Sequence, residues 1–411
     1  MVTSNGTKPA SNSAAPNRID TILETVTHRV DAYRSQNEEA DRVAALKAAQ
    51  DLVKALQKPR DAVYHLAYSP THPLCVRIGI DLEIFTTLSA KNGPVTLAEL
   101  AAVKSASPIL VAKPERVLRI LAGIGYVEEP EVHVYAPSEM THHMADRYNV
   151  GTVKFIWDLG MTSLAKIPEF LRENKYQHVE GAINGPFQYA HKIDNIIWEW
   201  VATSPELLDT INTFMEGDRG SRPSWLTWFP VEERLVEGFE GGDQEVLFVD
   251  VAGGRGHDLK DFCERFPQAK GRVILEDLPH VLDEALPIPG VERVAFDLFQ
   301  PQPIQGARVY YLKFILHDWS HDQCHQILRQ IHQAMRPGYS KLVIEEFILP
   351  EKDCPMLSAM WDWEMMVFCN SMERSRAMWE KLLDGAGFQA KFFSPPGDGQ
   401  GVIEADVKVE Q

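Results

Sequence analysis

Val246-Leu-Phe-Val-Asp250-Val-Ala-Gly-Gly-Arg-Gly-His257 is the stretch on which the fold turns. A short apolar run ends in an acid, and Gly253, Gly254 and Gly256 follow at once. A continuous apolar run is what a strand buried on both faces requires. Glycines directly after it let the chain turn sharply and let a ligand press against bare backbone. The pattern recurs downstream. Val273-Ile-Leu-Glu-Asp277, Val294-Ala-Phe-Asp297, Val309-Tyr-Tyr-Leu312 and Leu342-Val-Ile-Glu-Glu346 are further apolar runs, separated by helical stretches. Gln389–Phe393 and Val402–Val407 flank the Gly/Pro-rich turn Pro395–Gly401 and read as a hairpin closing the sheet. The alternation predicts an α/β fold with a parallel sheet covered on both faces.

In such a sheet the ligand crevice lies at the carboxyl ends of the strands. A dinucleotide fingerprint needs G-x-G-x-x-G/A, but that frame from Gly254 puts Leu259 at the last glycine. No phosphate loop G-x-x-x-x-G-K-[ST] is present either. The acids carry more information. Asp277 lies 27 residues after Asp250, where a carboxylate can accept both hydroxyls of a ribose, and Asp297 closes the third run. After the fourth run comes Lys313-Phe-Ile-Leu-His317-Asp318-Trp319. His317 is one of 14 histidines, but its place at the ligand edge of the sheet suits a general base. Glu346, closing the fifth run, and Glu373, in Asn370-Ser-Met-Glu-Arg374, are both candidates to orient that imidazole.

The first 240 residues are helical in pattern. Residues 1 to 17 are Ser-, Asn-, Ala- and Pro-rich and read as a disordered tail. Ile19, Ile22, Val26, Val30 and Tyr33 recur at helical spacing, and Leu46, Leu52, Val53 and Leu56 predict a second amphipathic helix. Thr96-Leu-Ala-Glu99 is a capping box, Pro114 opens a helix, and Tyr126 to Tyr135 alternates as a hairpin. Together they read as a winged helix. Residues 61–150 hold 7 Lys and Arg against 10 Asp and Glu, too acidic for a DNA reader. A dimerisation or scaffold role suits the segment better. Domains are therefore expected at 18–150 and 151–411, with a helical stretch at 151–240. That stretch carries Trp157, Trp198, Trp200, Trp225 and Trp228, as core or as the wall of an apolar ligand site.

Composition sets the outer bounds. The chain of 411 residues has 41 Lys and Arg against 58 Asp and Glu, a net charge of −17. That excess disfavours nucleic acid and anionic membrane as partners and suits a cationic ligand. No apolar run reaches the roughly 20 residues of a membrane helix. The five cysteines form no CxxC pair, so neither a disulfide framework nor a zinc site is expected. Without a signal-like apolar core at the N-terminus, a cytoplasmic location is expected.

Taken together, these motifs resemble the S-adenosylmethionine-dependent O-methyltransferases of the plant caffeate/flavonoid type and their fungal secondary-metabolite branch. The resemblance runs from about residue 60 to the C-terminus. The family's D-V-G-G-G-x-G-H is matched by Asp250–His257, with Ala252 as the one departure. Its D-L-P is matched by Asp277-Leu278-Pro279 and its D-M-F by Asp297-Leu298-Phe299. Its K-W-I-x-H-D-W is matched by Lys313–Trp319.

The resemblance implies a Rossmann-like methyltransferase sheet with an N-terminal winged-helix dimerisation domain, working as a homodimer. It implies that S-adenosylmethionine is held by Asp250, Gly253, Gly254, Gly256, Asp277, Leu278, Asp297, Leu298 and Lys313. By the same resemblance His317 is the base, flanked by Glu346 and Glu373. Met215, Asp318, Met366 and Asn370 are implied to line the substrate pocket, and the implied acceptor is a small aromatic or polyketide-type molecule with a phenolic hydroxyl. Some fungal proteins resembling this family are pericyclases, which use the fold without transferring methyl. The presence of His317, Glu346 and Glu373 favours methyl transfer over that alternative and over a non-enzymatic regulator.

Overall fold

The computed structural model describes residues 18–105, 116–179, 181, 183–221, 223–395 and 399–408. The expected tail at 1–17, the helix start at Pro114 and the middle of the Pro395–Gly401 turn lie outside them. The chain divides into two compact units, Met1–Pro70 and Thr71–Gln411. The expected boundary near residue 150 therefore falls inside the second unit.

The first unit contains the helices Arg18–Gln36, Glu39–Leu56 and Pro59–Tyr68. The apolar spacing built the first of these as expected. Ile19, Ile22, Val26, Val30 and Tyr33 are each partly covered, while most of the positions between them are open. Much apolar surface stays uncovered, including Val53 at 62%, Val63 at 65%, Leu66 at 75% and Tyr68 at 65% exposure.

The second unit opens with its own small core. Ile84, Phe85, Leu88, Leu118, Leu121 and Tyr135 are buried together there. Thr96 caps the helix Leu97–Val103, and Glu99 reaches back to the Thr96 N–H, the reciprocal box read from the sequence. Strands β1 (Val95–Thr96), β2 (Val127–Glu131) and β3 (Val134–Pro137) form an antiparallel sheet in the order β1-β3-β2. Helices followed by this hairpin make the winged arrangement.

Seven strands form the main sheet: β4 (Val246–Val251), β5 (Arg272–Asp277), β6 (Val291–Ala295), β7 (Val309–Lys313), β8 (Lys341–Glu346), β9 (Phe388–Phe393) and β10 (Gly401–Val407). Their order is β6-β5-β4-β7-β8-β10-β9. Strands β4 to β8 run parallel, and β10 pairs antiparallel with both β8 and β9. The order reverses around β4, so the crevice for a ligand opens at its carboxyl end. Alternation along β7 serves two cores. Tyr310 and Leu312 enter the one formed with the helices His321–Ala334 and Arg376–Gly385. Val309 and Tyr311 enter the other, with Trp225, Phe248 and Phe262. Leu312 is fully buried, and truncating it to Ala costs roughly 2–5 kcal/mol. One strand end differs from expectation. β6 stops at Ala295, so Asp297 lies in the following turn rather than closing the strand.

Candidate active site

The glycine loop is shaped by contacts that only glycine permits at two places. A Cβ on Gly253 would lie 2.4 Å from the Asp250 carboxylate and 2.7 Å from Leu275. Gly254, at φ +60°, faces open space, and its N–H donates to Asp277 Oδ2 at 2.8 Å. Ala252 adopts the same left-handed region at φ 58°, without a glycine's freedom. Gly256 then caps the helix His257–Arg265.

Asp277 ties this loop to the next strand, since its Oδ1 also accepts the Leu278 N–H at 2.7 Å. Burial pushes its carboxyl upward, partly opposed by those two amides. Leu278 is 42% exposed beside it. Asp297 is exposed, and its Oδ1 accepts the Phe299 N–H at 3.0 Å, while Leu298 packs partly against the main core. Lys313 is directed into the protein. Its Nζ lies 3.1 Å from Asp258 and 3.3 Å from Glu345, and Tyr311 donates its hydroxyl to Glu345. The open space and bare backbone at Gly254, with the carboxylates at the strand ends, fit a nucleoside-bearing cation. Lys313 fits less directly, because two carboxylates already take its charge.

The turn after β7 carries His317, the expected base. His317 is 4% exposed. Its Nδ1 meets Glu373 Oε1 at 2.8 Å, and its Nε2 lies 3.6 Å from Asp318 Oδ1. Both glutamates are candidates by sequence to orient the imidazole, and they divide the work. Glu373 engages the ring, whereas Glu346 Oε1 accepts the backbone N–H of Ile315 at 3.1 Å and of Leu316 at 2.7 Å. One oxygen of each, Glu346 Oε2 and Glu373 Oε2, is buried without a hydrogen-bond partner among the described residues. Donor atoms of His317, Glu346 and Glu373 all fall within 4.8 Å of one another.

The electrostatics follow from this crowding. Burial alone would lower the His317 pKa, but the charge and hydrogen bond of Glu373, with Asp318 and Glu346 behind it, raise it to about 10. Burial pushes Glu346 up to about 7, and it raises Asp318 as well.

Residues to which the sequence assigns no role complete the turn. Arg374, 3% exposed, donates to the carbonyls of Leu316 at 2.8 Å and Trp319 at 3.0 Å. Phe314, at φ 50°, stacks on the His317 ring at 5.1 Å between centroids, and Trp361 stacks on Phe314 at 5.7 Å and 4°. Phe214 continues the pile against Trp361, and Phe155 against Phe214. The aromatic richness is legible in the chain, but its convergence on His317 is not.

The expected pocket residues separate. Asp318 lines a crevice with Trp198, Trp319 and Phe368. Met215 is 46% exposed on the helix Pro205–Ser221, and Met366 is half-buried on Met356–Cys369. Asn370 stands at the end of the helix Met356–Cys369. It caps that second helix at φ 51°, and its amide donates to the carbonyls of Val179 at 2.7 Å and Gly181 at 3.2 Å. The side chain thus ties the Val179 and Gly181 carbonyls to this helix end. Of the tryptophans, Trp225 is core, stacked on Tyr311, while Trp198 stands at the crevice.

A strand-end crevice with a glycine loop, acids on successive strands and a carboxylate-bound histidine defines a nucleoside-cofactor transferase of the α/β class. The chain belongs to the O-methyltransferase family, whose domain model matches residues 173–389. It is 38% identical to O-methyltransferase asqD of Emericella nidulans, over 82% of this chain and 87% of that one. It is 35% identical to a demethylsterigmatocystin 6-O-methyltransferase of Aspergillus parasiticus, over 80% and 83%. Among solved structures, LepI in complex with SAM matches with a TM-score of 0.85 at 29% identity, over 95% of this chain and 100% of that one. A structure described as a pericyclic reaction enzyme matches equally well. The protein is thus an O-methyltransferase of the fungal secondary-metabolite type that uses S-adenosylmethionine. Among the described residues, no helix is long and apolar enough to cross a membrane.

Proposed function

We propose that the protein methylates a phenolic hydroxyl of a small aromatic or polyketide-type molecule, with His317 as the general base. The observation that carries this is the Glu373–His317 contact at 2.8 Å in a buried turn. Glu373 on Nδ1 leaves Nε2 as the nitrogen that meets the acceptor. A phenol ionises near pH 10, so His317, raised to about 10, matches it in proton affinity, and the ring in its neutral form takes the proton with little energetic penalty. When bound, S-adenosylmethionine supplies an activated methyl group. Gly253, Gly254 and Asp277 hold it, with Asp250, Gly256, Leu278, Asp297 and Leu298 around them and Lys313 bracing the floor. Met215, Asp318 and Met366 border the acceptor, and the aromatic pile from Phe314 suits a flat ring.

The test pairs binding with transfer. Calorimetry should show heat with S-adenosylmethionine and with S-adenosylhomocysteine. Label from the cofactor methyl should appear on a phenolic acceptor. The likeness to a pericyclic reaction enzyme supports a second reading, cyclisation of a small natural product. Under that reading the product mass equals the substrate mass, and no label moves.

We also infer a homodimer built through residues of about 19–150. The uncovered Val53, Leu56, Val63, Leu66 and Tyr68 support it, since an apolar surface of that size favours a partner. Light scattering at micromolar concentration should give twice the chain mass, and a monomer there would refute the dimer.

A further inference from the structure

The helix Pro205–Ser221 meets the glycine loop directly and reaches the base through a pile of stacked rings. Glu216 on this helix accepts a hydrogen bond from Arg255, the residue between Gly254 and Gly256. The Glu216 side chain is 15% exposed and the Arg255 side chain 35%. His257 Nε2 approaches the same carboxylate at 3.9 Å. Arg255 is fixed at its other side as well, donating to the Glu284 carbonyl at 3.2 Å and accepting the Leu286 N–H at 2.9 Å. Two residues before Glu216, Phe214 stacks on Phe155 at 4.3 Å and meets Trp361 at 5.8 Å. Trp361 lies on Phe314, and Phe314 lies on His317.

We infer that Glu216 is a positioning residue that clasps Arg255, so that filling the glycine loop orders the helix carrying Met215 and Phe214. The inference rests on the cofactor reading of that loop. A ligand pressed on the backbone at Gly254 restricts the loop and with it Arg255. A partly buried ion pair transmits that restriction to the helix, because breaking it leaves a carboxylate short of its partner away from water. The helix then presents Met215 to the acceptor and Phe214 to the aromatic pile behind the base. Cofactor first and acceptor second is the binding order this arrangement favours. Coupling between two such sites is typically 5- to 150-fold in affinity.

Hydrogen exchange on the full chain tests this, with S-adenosylhomocysteine as the probe. At saturation, amides of 205–221 in the wild type should exchange at least about 5-fold more slowly than in the free protein. Glu216→Gln keeps the shape but not the charge. It should still bind the probe by calorimetry, yet lose most of the added protection. The swapped pair, Arg255→Glu with Glu216→Arg, should restore it. No heat with the wild type would remove the cofactor reading and this proposal with it. Heat without protection of the helix overturns this proposal alone. So does protection that survives Glu216→Gln, or protection lost there and not recovered by the swapped pair.

Discussion

Glu373 Oε1 lies 2.8 Å from His317 Nδ1, 56 residues away in sequence, and both side chains are buried. The contact engages Nδ1, leaves Nε2 as the nitrogen Glu373 does not hold, and raises the proton affinity of the ring. Three carboxylates influence this one histidine, so its charge state is a property of the cluster.

Removing the base should separate binding from turnover. His317→Ala should leave S-adenosylhomocysteine affinity within a few fold, because the ring faces the acceptor and not the glycine loop. Turnover of a phenolic acceptor at neutral pH should fall by on the order of 10²-fold or more. Wild-type turnover in the variant at pH 7 would end the assignment.

The pH profile should report the Glu373 contact. Only neutral imidazole accepts a proton, and in the ligand-free protein His317 is raised to about 10. Acceptor kcat/KM should therefore rise with pH across the neutral range, by up to tenfold per unit. Glu373→Gln removes the largest influence that raises the pKa, so the rising limb should move to lower pH. An unmoved limb in Glu373→Gln would show that another group sets it.

Much of the fold is readable in the chain, and the exceptions share a cause. Apolar runs, four of them ending in an acid, locate five parallel strands, because a strand covered on both faces needs a continuous apolar run. Asp277, Glu346 and His317 reach the carboxyl edge for that reason. Asp297 misses the strand end by two residues, since local spacing does not fix where pairing with β5 stops. The roles of Asn370, Lys313, Phe314, Arg374 and Glu216 depend on partners far along the chain. Arg374, for example, bonds carbonyls 58 and 55 residues away. Periodicity carries no information about such pairs.

Arg374→Lys should loosen the turn that carries His317. The guanidinium reaches two carbonyls at once, and an ammonium on a shorter stem does not reproduce that fork. Leu316 keeps Cys324 as a donor and Trp319 keeps Ser371, so the cost is that of the lost charge-assisted bonds, about 1.5–3 kcal/mol, and the melting midpoint should fall. Acceptor kcat should fall more than cofactor affinity. Equal losses in both would indicate general unfolding instead of local loosening.

Ala252→Gly should stabilise the protein. Ala252 sits at φ 58°, where a Cβ costs roughly 1–2 kcal/mol. A glycine returns part of that through the freedom it has when unfolded, about 0.5–1 kcal/mol. The net gain expected is about 0.5–1 kcal/mol, readable as a higher denaturant midpoint at unchanged slope. A lower midpoint would mean the alanine methyl contributes packing that outweighs its backbone strain.

Glu276 gives the clearest pH dependence of stability. It is fully buried on β5; Gln302 donates to its Oε2 at 2.8 Å, while Oε1 has no hydrogen-bond partner among the described residues. Burial pushes its pKa up to about 7, partly offset by the Gln302 bond. An unfolded glutamate titrates near 4.3. Between these values the folded state binds more protons than the unfolded one, so this group lowers stability as pH rises through that window. The accumulated effect above pH 7 is on the order of 3 kcal/mol. Glu276→Gln keeps an acceptor for Gln302 and carries no charge. Its midpoint should match the wild type near pH 4.5 and exceed it increasingly up to pH 7, then hold a constant lead. Paired denaturant titrations at several pH values check this, and a variant no more stable than the wild type at pH 8 would show that Glu276 stays ionised in the fold at no cost.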